Sequence, residues 1–524
     1  TLILHFCSLC PFYLNFFIQL SSGQYNFYRN NPLFVIAVMF ILGIALGDIL
    51  MLPFAVYAVL LISAIAIGSW FMRFPIVSSL SVHVGAIIAG AWLVTIAKEY
   101  NKAIPVGRHY YEAVVVSQPV ITDKSFKCDL WIVNTPEPIK VKATLLREAQ
   151  LYGDTLRPGD GLVVSTALKA VADVDFSDGH FDYQRWLRVN HYDATAYVWQ
   201  DWQREQIKIS NLPTMEKIRM RATMWRGNLQ ETYRRLGLED RTLALISAMT
   251  IGDKSLLDDQ MRDEYSISGA SHILALSGLH LMVLFAIVNY IMNGIAKFLI
   301  GYTGGKGRLT IKFIKALLLF GLIWGFTILV GLSPSITRAA TMISLYAVVD
   351  LDNRPHQPFN TLAFTALVIL LFNPLSLWDV GFQLSFMAVL GIFFFQPKRR
   401  LNWFLSLLWL SLSAQLAVAP LLLYHFGRLS CYFLLANIVV VPCAYIIVYS
   451  AFAVLLLTPV AIIQRWMVAI LTSAAHIMDS SVRGIAMLPG ASIENIHFDG
   501  VQVVALYVLI ICVYRIFCLT LHSK

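Results

Sequence analysis

At 524 residues, 58% of them hydrophobic and 14% charged, with a mean hydropathy of +0.66, the chain cannot be an ordinary soluble protein. The formal charge of +9 is no nucleic-acid signal by itself, because a polytopic protein gathers Lys and Arg in its cytoplasmic loops. Seven Cys give no disulfide framework: Cys431, Cys443, Cys512 and Cys518 lie in or beside apolar runs, and Cys128 is the only one in the polar part of the chain.

Residues 1–30 read as an uncertain N-terminal extension. They carry no basic n-region or small-residue cleavage site, and the CxxC of Cys7 and Cys10 has no second ligand pair. Apolar runs predict helices near 33–52, 54–71 and 76–97, an N-terminal membrane segment over 31–97. Residues 98–206 change character: stretches such as YYEAVVV and DGLVVSTA alternate, and Pro-Gly and Asp-Gly turns punctuate them. Five or so short strands in that length predict a small β-barrel. Its 13 Lys or Arg stand against 15 Asp or Glu, so it has no electrostatic footprint for a polyanion. Tyr183, Trp186, Tyr192, Tyr197, Trp199 and Trp202 read either as core and membrane-interface packing or as a base-stacking platform.

Residues 207–241 form a basic amphipathic linker. Lys217, Arg219, Arg221, Arg226, Arg234, Arg235 and Arg241 interleave with Met215, Met220, Met224, Trp225 and Tyr233, predicting one or two helices on a membrane surface. Two readings stay open for the cations: snorkelling to anionic lipids, or guidance of a phosphate backbone by Arg219, Arg221, Arg226, Arg234 and Arg235.

An acidic loop, Gly252–Glu264, then leads into a membrane-length apolar run, Gly269–Met292. Its acidic groups read as solvated, with a cation site as the alternative. The run predicts one span over 270–294 carrying His272, Ser277, Gly278 and His280, the two His about 80° apart on an ideal helix. Ionisable groups in hydrocarbon are costly, so these either cross-link helices or line a polar path. Further spans are predicted near 313–332, 335–351, 359–372, 379–396, 402–423, 431–457, 460–488 and 501–519, so that the whole chain has eleven to twelve spans and 242–524 forms a competence-type transmembrane domain. Arg338, beside Gly331, Ser333, Pro334 and Ser335, reads as an ion pair with Asp350 or Asp379, or as a phosphate contact. Gln383, Ser385, Gln415, His425 and Asn437 add buried polarity, and its recurrence over several spans favours an internal polar path. Lys and Arg at 29, 73, 297–315, 398–400, 515 and 524 place those loops and the C-terminus in the cytoplasm. Residues 98–269 then fall on the opposite, periplasmic side.

GASHILALSGLH (269–280), GLSPSITRAATMISL (331–345), NPLSLWDVGFQLSFMAVLGI (373–392) and AQLAVAPLLLYHFGRLSCYFLLANIVVVP (414–442) resemble, in this order, the blocks of the competence membrane domain. YGDTLRPGD (152–160) and FDYQRWLRVNHYDATAYV (181–198) resemble the OB-like domain that precedes it in the ComEC/Rec2 family. The resemblance implies a mainly α polytopic inner-membrane protein with an inserted OB-like external domain. It also implies conduction of single-stranded DNA into the cytoplasm in natural transformation. A periplasmic DNA-binding competence protein, and a cytoplasmic DNA translocase or single-strand-binding protein, would be its partners beside the lipid bilayer and a homo-oligomer. Some relatives staple the OB-like domain with a Cys pair, which Cys128 alone cannot form. Many carry a metallo-β-lactamase-like domain; no HxHxDH occurs here, and no GxxxxGK[ST], so the chain is expected neither to cut DNA nor to power its movement. No catalytic residue, metal or cofactor is assigned. The alternatives are a membrane hydrolase using Ser277, His272 and His280, a small-molecule transporter, or an assembly protein that recruits partners through its external domain.

Overall fold

The computed structural model describes residues 30–99, 102–122, 124–146, 156–174, 177–178, 181–199, 202–207, 212–238, 240–302, 307–351, 357–395 and 401–522. The N-terminal extension with Cys7 and Cys10, the cytoplasmic markers at 29, 306, 398–400 and 524, and the side chains of Asp350 and Cys518 lie outside them. The chain forms two compact units. One holds residues up to 100 with 352–438 and 489–524; the other holds 101–351 with 439–488.

In the first unit, α1 (Pro32–Leu50), α2 (Phe54–Trp70) and α3 (Pro75–Glu99) follow the three predicted apolar runs. Glycines bring α1 and α3 together. A Cβ on Gly43 would stand 2.0 Å from the Ile87 carbonyl oxygen, and one on Gly90 would stand 2.3 Å from that of Phe40. In hydrocarbon helices gain little from apolar contact alone, so close backbone approach over small residues supplies the packing. At the end of this pair the buried Asp48 carboxylate meets Lys98 Nζ at 2.6 Å. Later in the chain come α12 (Pro358–Phe372), a 3-10 turn (Pro374–Trp378), α13 (Val380–Phe394) and α14 (Trp403–Phe426). Asn373-Pro374 ends α12, and the Asp379 side chain accepts from Phe382 N to cap α13. Gly427, in the left-handed region at φ 62°, ends α14. The last helix of this unit is α17 (Gly500–His522), whose Tyr507 hydroxyl donates to the Ala417 carbonyl of α14.

The second unit opens with the β domain. Its strands β1 (Arg108–Val115), β2 (Val120–Ile121), β3 (Ser125–Ile132), β4 (Ile139–Leu146), β5 (Gly161–Ala167), β6 (Lys169–Ala170), β9 (Ala194–Val198) and β10 (Trp202–Arg204) make one sheet of order β10-β5-β1-β3-β4-β9-β6, with β2 on β3. A small hairpin, β7 (Ser177–Asp178) and β8 (Phe181–Asp182), and helix α4 (Tyr183–Val189) connect β6 to β9. Neighbours are antiparallel except β4 and β9, which run parallel from Val141↔Ala194 to Leu145↔Val198. Thr166 Oγ1 donates to the Tyr197 carbonyl, so β5 also reaches β9 and the sheet curls onto itself. Alternate residues of β4 (Ile139, Val141, Ala143, Leu145) point into a core shared with Phe126, Leu130, Leu162 and Val164. Each large side chain there contributes about 2 kcal/mol by leaving water.

Helix α5 (Thr214–Arg235) joins this domain to the helical part. Met220 packs on Val114, Trp131 and Val133 of the β domain, and Tyr233 enters the main helical core. Short helices α6 (Asp240–Thr250), α7 (Asp259–Ile267) and α8 (Ser271–Leu274) follow, and then α9 (Gly278–Tyr302), α10 (Arg308–Leu329) and α11 (Pro334–Leu351). The unit is completed by α15 (Phe433–Leu456), entered at residue 439, and α16 (Ala461–Ala486); β11 (Leu429–Ser430) and β12 (Ser492–Ile493) pair in the other unit. One core joins Leu245, Met249 and Tyr265 of α6 and α7 to Ile447 and Ala451 of α15 and Met478 of α16.

Among the described residues seven helices are long and apolar enough to cross a membrane: α1, α3, α9, α10, α14, α15 and α16. Helices α2, α12, α13 and the first part of α17 are apolar but shorter. At 1.5 Å per residue, their 15–17 residues cover roughly 25 Å, less than the hydrocarbon core of about 30 Å. The chain is therefore a mainly helical membrane protein with an inserted β domain, and the helices fall where the expected spans were placed, with one exception. One expectation is corrected. The run 269–292 is not one helix: it breaks at Ala275–Ser277, between α8 and α9. His272 and His280 thus sit on different helices, and the 80° relation between them does not exist.

Candidate polar site at the interrupted helices

The break before α9 has a local cause. Ser277 precedes the first helical residue, where backbone N–H groups lack intrahelical partners. His280 turns its ring back and accepts the Ser277 backbone N–H at Nδ1 (3.0 Å), with Ser277 Oγ 3.1 Å from the same nitrogen. This is one half of a capping box, with His in the place usually held by Glu. Since a backbone N–H can only donate, the neutral ring carries its proton on Nε2. That atom is buried and meets no acceptor among the described residues. The nitrogen that a nucleophilic Ser277 would need as its base is thus already occupied by the main chain. His272 is exposed, and its Nδ1 donates to the Gly269 carbonyl.

A second interruption faces the first. Between α10 and α11 the chain passes through Gly331 (φ 94°) and Leu332 (φ 57°), and Pro334 starts α11. The buried Arg338, one turn into α11, lies against Gly278. A Cβ on that glycine would stand 3.3 Å from Arg338 Nη2, 3.1 Å from Ala339 Cβ and 3.8 Å from the Ser335 carbonyl oxygen. Two helix N-termini, each the positive end of a helix dipole, therefore meet around one guanidinium. The hydroxyls of Ser333 and Thr337 on the same turn are buried with no partner among the described residues.

The other predicted polar residues belong to the first unit. His425 Nε2 lies 2.9 Å from Gln383 Oε1, and Gln383 Nε2 donates to the Leu377 carbonyl, so α13 and α14 share one polar link at the 3-10 turn. Ser385 Oγ donates to Phe382 O, Gln415 is half-buried on α14, and Asn437 Oδ1 is buried at the start of α15. Asp379 is occupied as the cap of α13. The acidic loop is not simply solvated. Asp253 is buried and accepts from Ser255 N, Asp258 caps α7, and Glu264 accepts from Arg241. Arg241 also grips Asp479 of α16 through Nε and Nη2, both at 3.2 Å.

On α5 the basic residues divide. Arg219 pairs with Glu216 (2.7 Å), and Arg234 and Arg235 pair with Glu231 (3.2 and 3.5 Å). Arg226 donates to Thr223 Oγ1 and rests on Gly331, where a Cβ would stand 3.3 Å from Nη1; burial lowers its pKa. Arg221 is exposed. In the β domain, Tyr183, Trp186 and Tyr192 stack on one another with ring centroids 5.7 Å apart, and Lys140 sits 4.4 Å above Tyr192. Trp186 is thereby engaged by two aromatic neighbours within the domain. Burial lowers the pKa of Lys140 and raises that of Tyr192, as expected for an internal stack. Trp202 packs on Phe126, which leaves Tyr197 and Trp199 exposed. Among the described residues no three His, Cys, Asp or Glu gather in a metal-binding group.

A polytopic helical protein with a β domain and facing helix interruptions defines the class. Within it, the sequence pattern described as Competence protein matches residues 249–518, and the chain belongs to this family. ComE operon protein 3 of Bacillus subtilis is 28% identical over 347 residues, 64% of this chain and 41% of that protein. Recombination protein 2 of Haemophilus influenzae is 24% identical over 282 residues, 50% of this chain and 33% of the relative. An uncharacterized protein of Aquifex aeolicus is 26% identical over 208 residues, 39% of this chain and 42% of its own length. The chain thus spans less than half the length of these curated relatives. No solved structure matches it.

Proposed function

We propose that the chain conducts single-stranded DNA across the inner membrane during competence, as a passage and not as an enzyme. The observation that carries this reading is the meeting of two interrupted helices at Gly278 and Arg338. Transporters place broken helix N-termini where an anionic substrate passes, because the dipole ends and freed N–H groups favour negative charge without a fixed counter-ion. A guanidinium at the same place suits phosphate, and contact with the backbone alone leaves base sequence unread. Family membership supports DNA as the cargo. The resemblance of 152–160 and 181–198 to an OB-like domain, and the curled sheet with its one parallel pair, support an OB-like β domain, and the placement of Lys and Arg supports its position on the periplasmic side with the C-terminus in the cytoplasm. A periplasmic DNA-binding competence protein would deliver the strand, a cytoplasmic translocase or single-strand-binding protein would draw it in, and a homo-oligomer is compatible with the same route.

The 3.1 Å approach of Ser277 Oγ to His280 favours a hydrolase as the second reading, against which stands the capping bond to the same nitrogen. Uptake of labelled DNA by the native host separates them, comparing wild type with Arg338→Ala, His280→Ala and Ser277→Ala at matched membrane levels. Under the conduit reading DNA reaches the outer face in the first two variants but does not enter the cytoplasm. Normal uptake in both would return these residues to helix packing. Loss of a hydrolytic activity in Ser277→Ala alone would support the enzyme.

A further inference from the structure

Helix α5 turns two different faces to its surroundings. Met220, Thr223, Gln230 and Tyr233 are buried against the β domain and the helical core. On the opposite side Ile218 and Trp225, seven residues apart and so on one stripe, stay 40% and 64% exposed. Arg221 is exposed beside that stripe, and Lys217 lies one turn before it.

The depth of this face follows from Arg226. Its guanidinium rests on Gly331, two residues beyond the end of α10, and α10 is a membrane-length helix that exposes Leu309, Phe313, Leu317 and Phe320 along its length. The end of such a helix marks the boundary of the hydrocarbon. Trp225, the neighbour of Arg226, therefore stands at that boundary with its indole outward.

We infer that this face of α5 docks on the headgroup layer of an anionic bilayer, Ile218 and Trp225 entering the acyl boundary and the exposed Arg221 reaching lipid phosphates. An exposed Ile gains nothing from DNA, and an indole at headgroup depth is the usual position of Trp in membrane proteins. The cation adds attraction to anionic lipid that a zwitterionic surface lacks. Arg219, Arg234 and Arg235, already paired with Glu216 and Glu231, contribute little to either partner.

The test places an environment-sensitive probe amino acid at position 225 of the full chain in nanodiscs rich in phosphatidylglycerol. Quenching is read with iodide from water and with a spin-labelled lipid. The inference expects iodide quenching about threefold weaker than for the free probe, quenching by the labelled lipid, and a partial reversal of both in phosphatidylcholine discs. Iodide access equal to that of the free probe, with no effect of the labelled lipid, overturns it. So does protection by a single-stranded oligonucleotide in place of lipid. If the probe at 225 prevents folding, the same readings at position 218 decide the matter.

Discussion

Gly278 and Arg338 are partners in shape: the glycine leaves room for a guanidinium carried on another helix, whose Nη2 would stand 3.3 Å from a Cβ there. An alanine methyl would force Arg338 and Ala339 back by a few tenths of an ångström, and a branched side chain would displace α11. Gly278→Ala should cost about 1 kcal/mol and lower the thermal stability of the detergent-solubilised protein by a few degrees. Gly278→Val should prevent its accumulation, measured by fluorescence-detected size exclusion.

The glycine seam between α1 and α3 is tighter still. Cβ atoms at Gly43 and Gly90 would meet backbone oxygens, which cannot rotate away. Gly43→Leu or Gly90→Leu should destabilise the first unit by more than about 3 kcal/mol, read as protease cleavage of the chain in nanodiscs under conditions that spare the wild type.

Lys98 and Asp48 test the energetics of a buried pair. Replacing Lys98 alone with Met leaves the nearly inaccessible Asp48 carboxylate without its cation and should cost about 3 kcal/mol. Adding Asp48→Leu should recover most of that loss. A double variant no better than the single one would mean that the charges are not coupled.

In the second unit Arg241 bridges Glu264 and Asp479, and so ties α6 and α7 to α16. Arg241→Met should lower the melting temperature by about 3–5 °C, since a single loss of about 3 kcal/mol exceeds what exposed pairs contribute. Asp479→Asn keeps the shape and should fall between the two.

Cys128 gives a chemical prediction. It lies inside the β domain, and burial, with the neighbouring Asp129 charge, pushes its pKa up to about 12. Only the thiolate reacts, so at pH 8 roughly one molecule in ten thousand is reactive even before access is considered. N-ethylmaleimide should modify the exposed Cys431 and leave Cys128 untouched until the domain unfolds, as read by mass spectrometry.

The apolar runs made nearly every helix legible, because length and composition alone distinguish a span from a loop. The alternation in YYEAVVV and DGLVVSTA likewise anticipated β1 and β5. The break at Ala275–Ser277 escaped that reasoning, since no Pro or charge interrupts the apolar run before Gly278. Its trace was the Ser-x-x-His spacing, a cap whose fourth residue is not the usual Glu. The Gly43-x-x-x-Gly47 pattern was equally present and equally silent without its partner helix. The polar residues were singled out by motif, but which of them meet, Gly278 with Arg338 and Gln383 with His425, depends on packing between segments far apart in the chain. On α5 the local pairs of Glu216 with Arg219 and Glu231 with Arg234 were readable three residues apart; which face remained outward was not.

The core of the second unit is assembled from two distant stretches, since Leu245, Met249 and Tyr265 need Ile447, Ala451 and Met478. A ribosome releases the first stretch well before the second, and at 5–20 residues per second the interval between residues 351 and 439 lasts roughly 5–20 s. Over that time the nascent half-core is open to lipid and to insertion factors, while helices of the other unit enter the membrane. Closure awaits α15 and α16, so a chain arrested before residue 439 should be a substrate for membrane quality control, however well its β domain has folded.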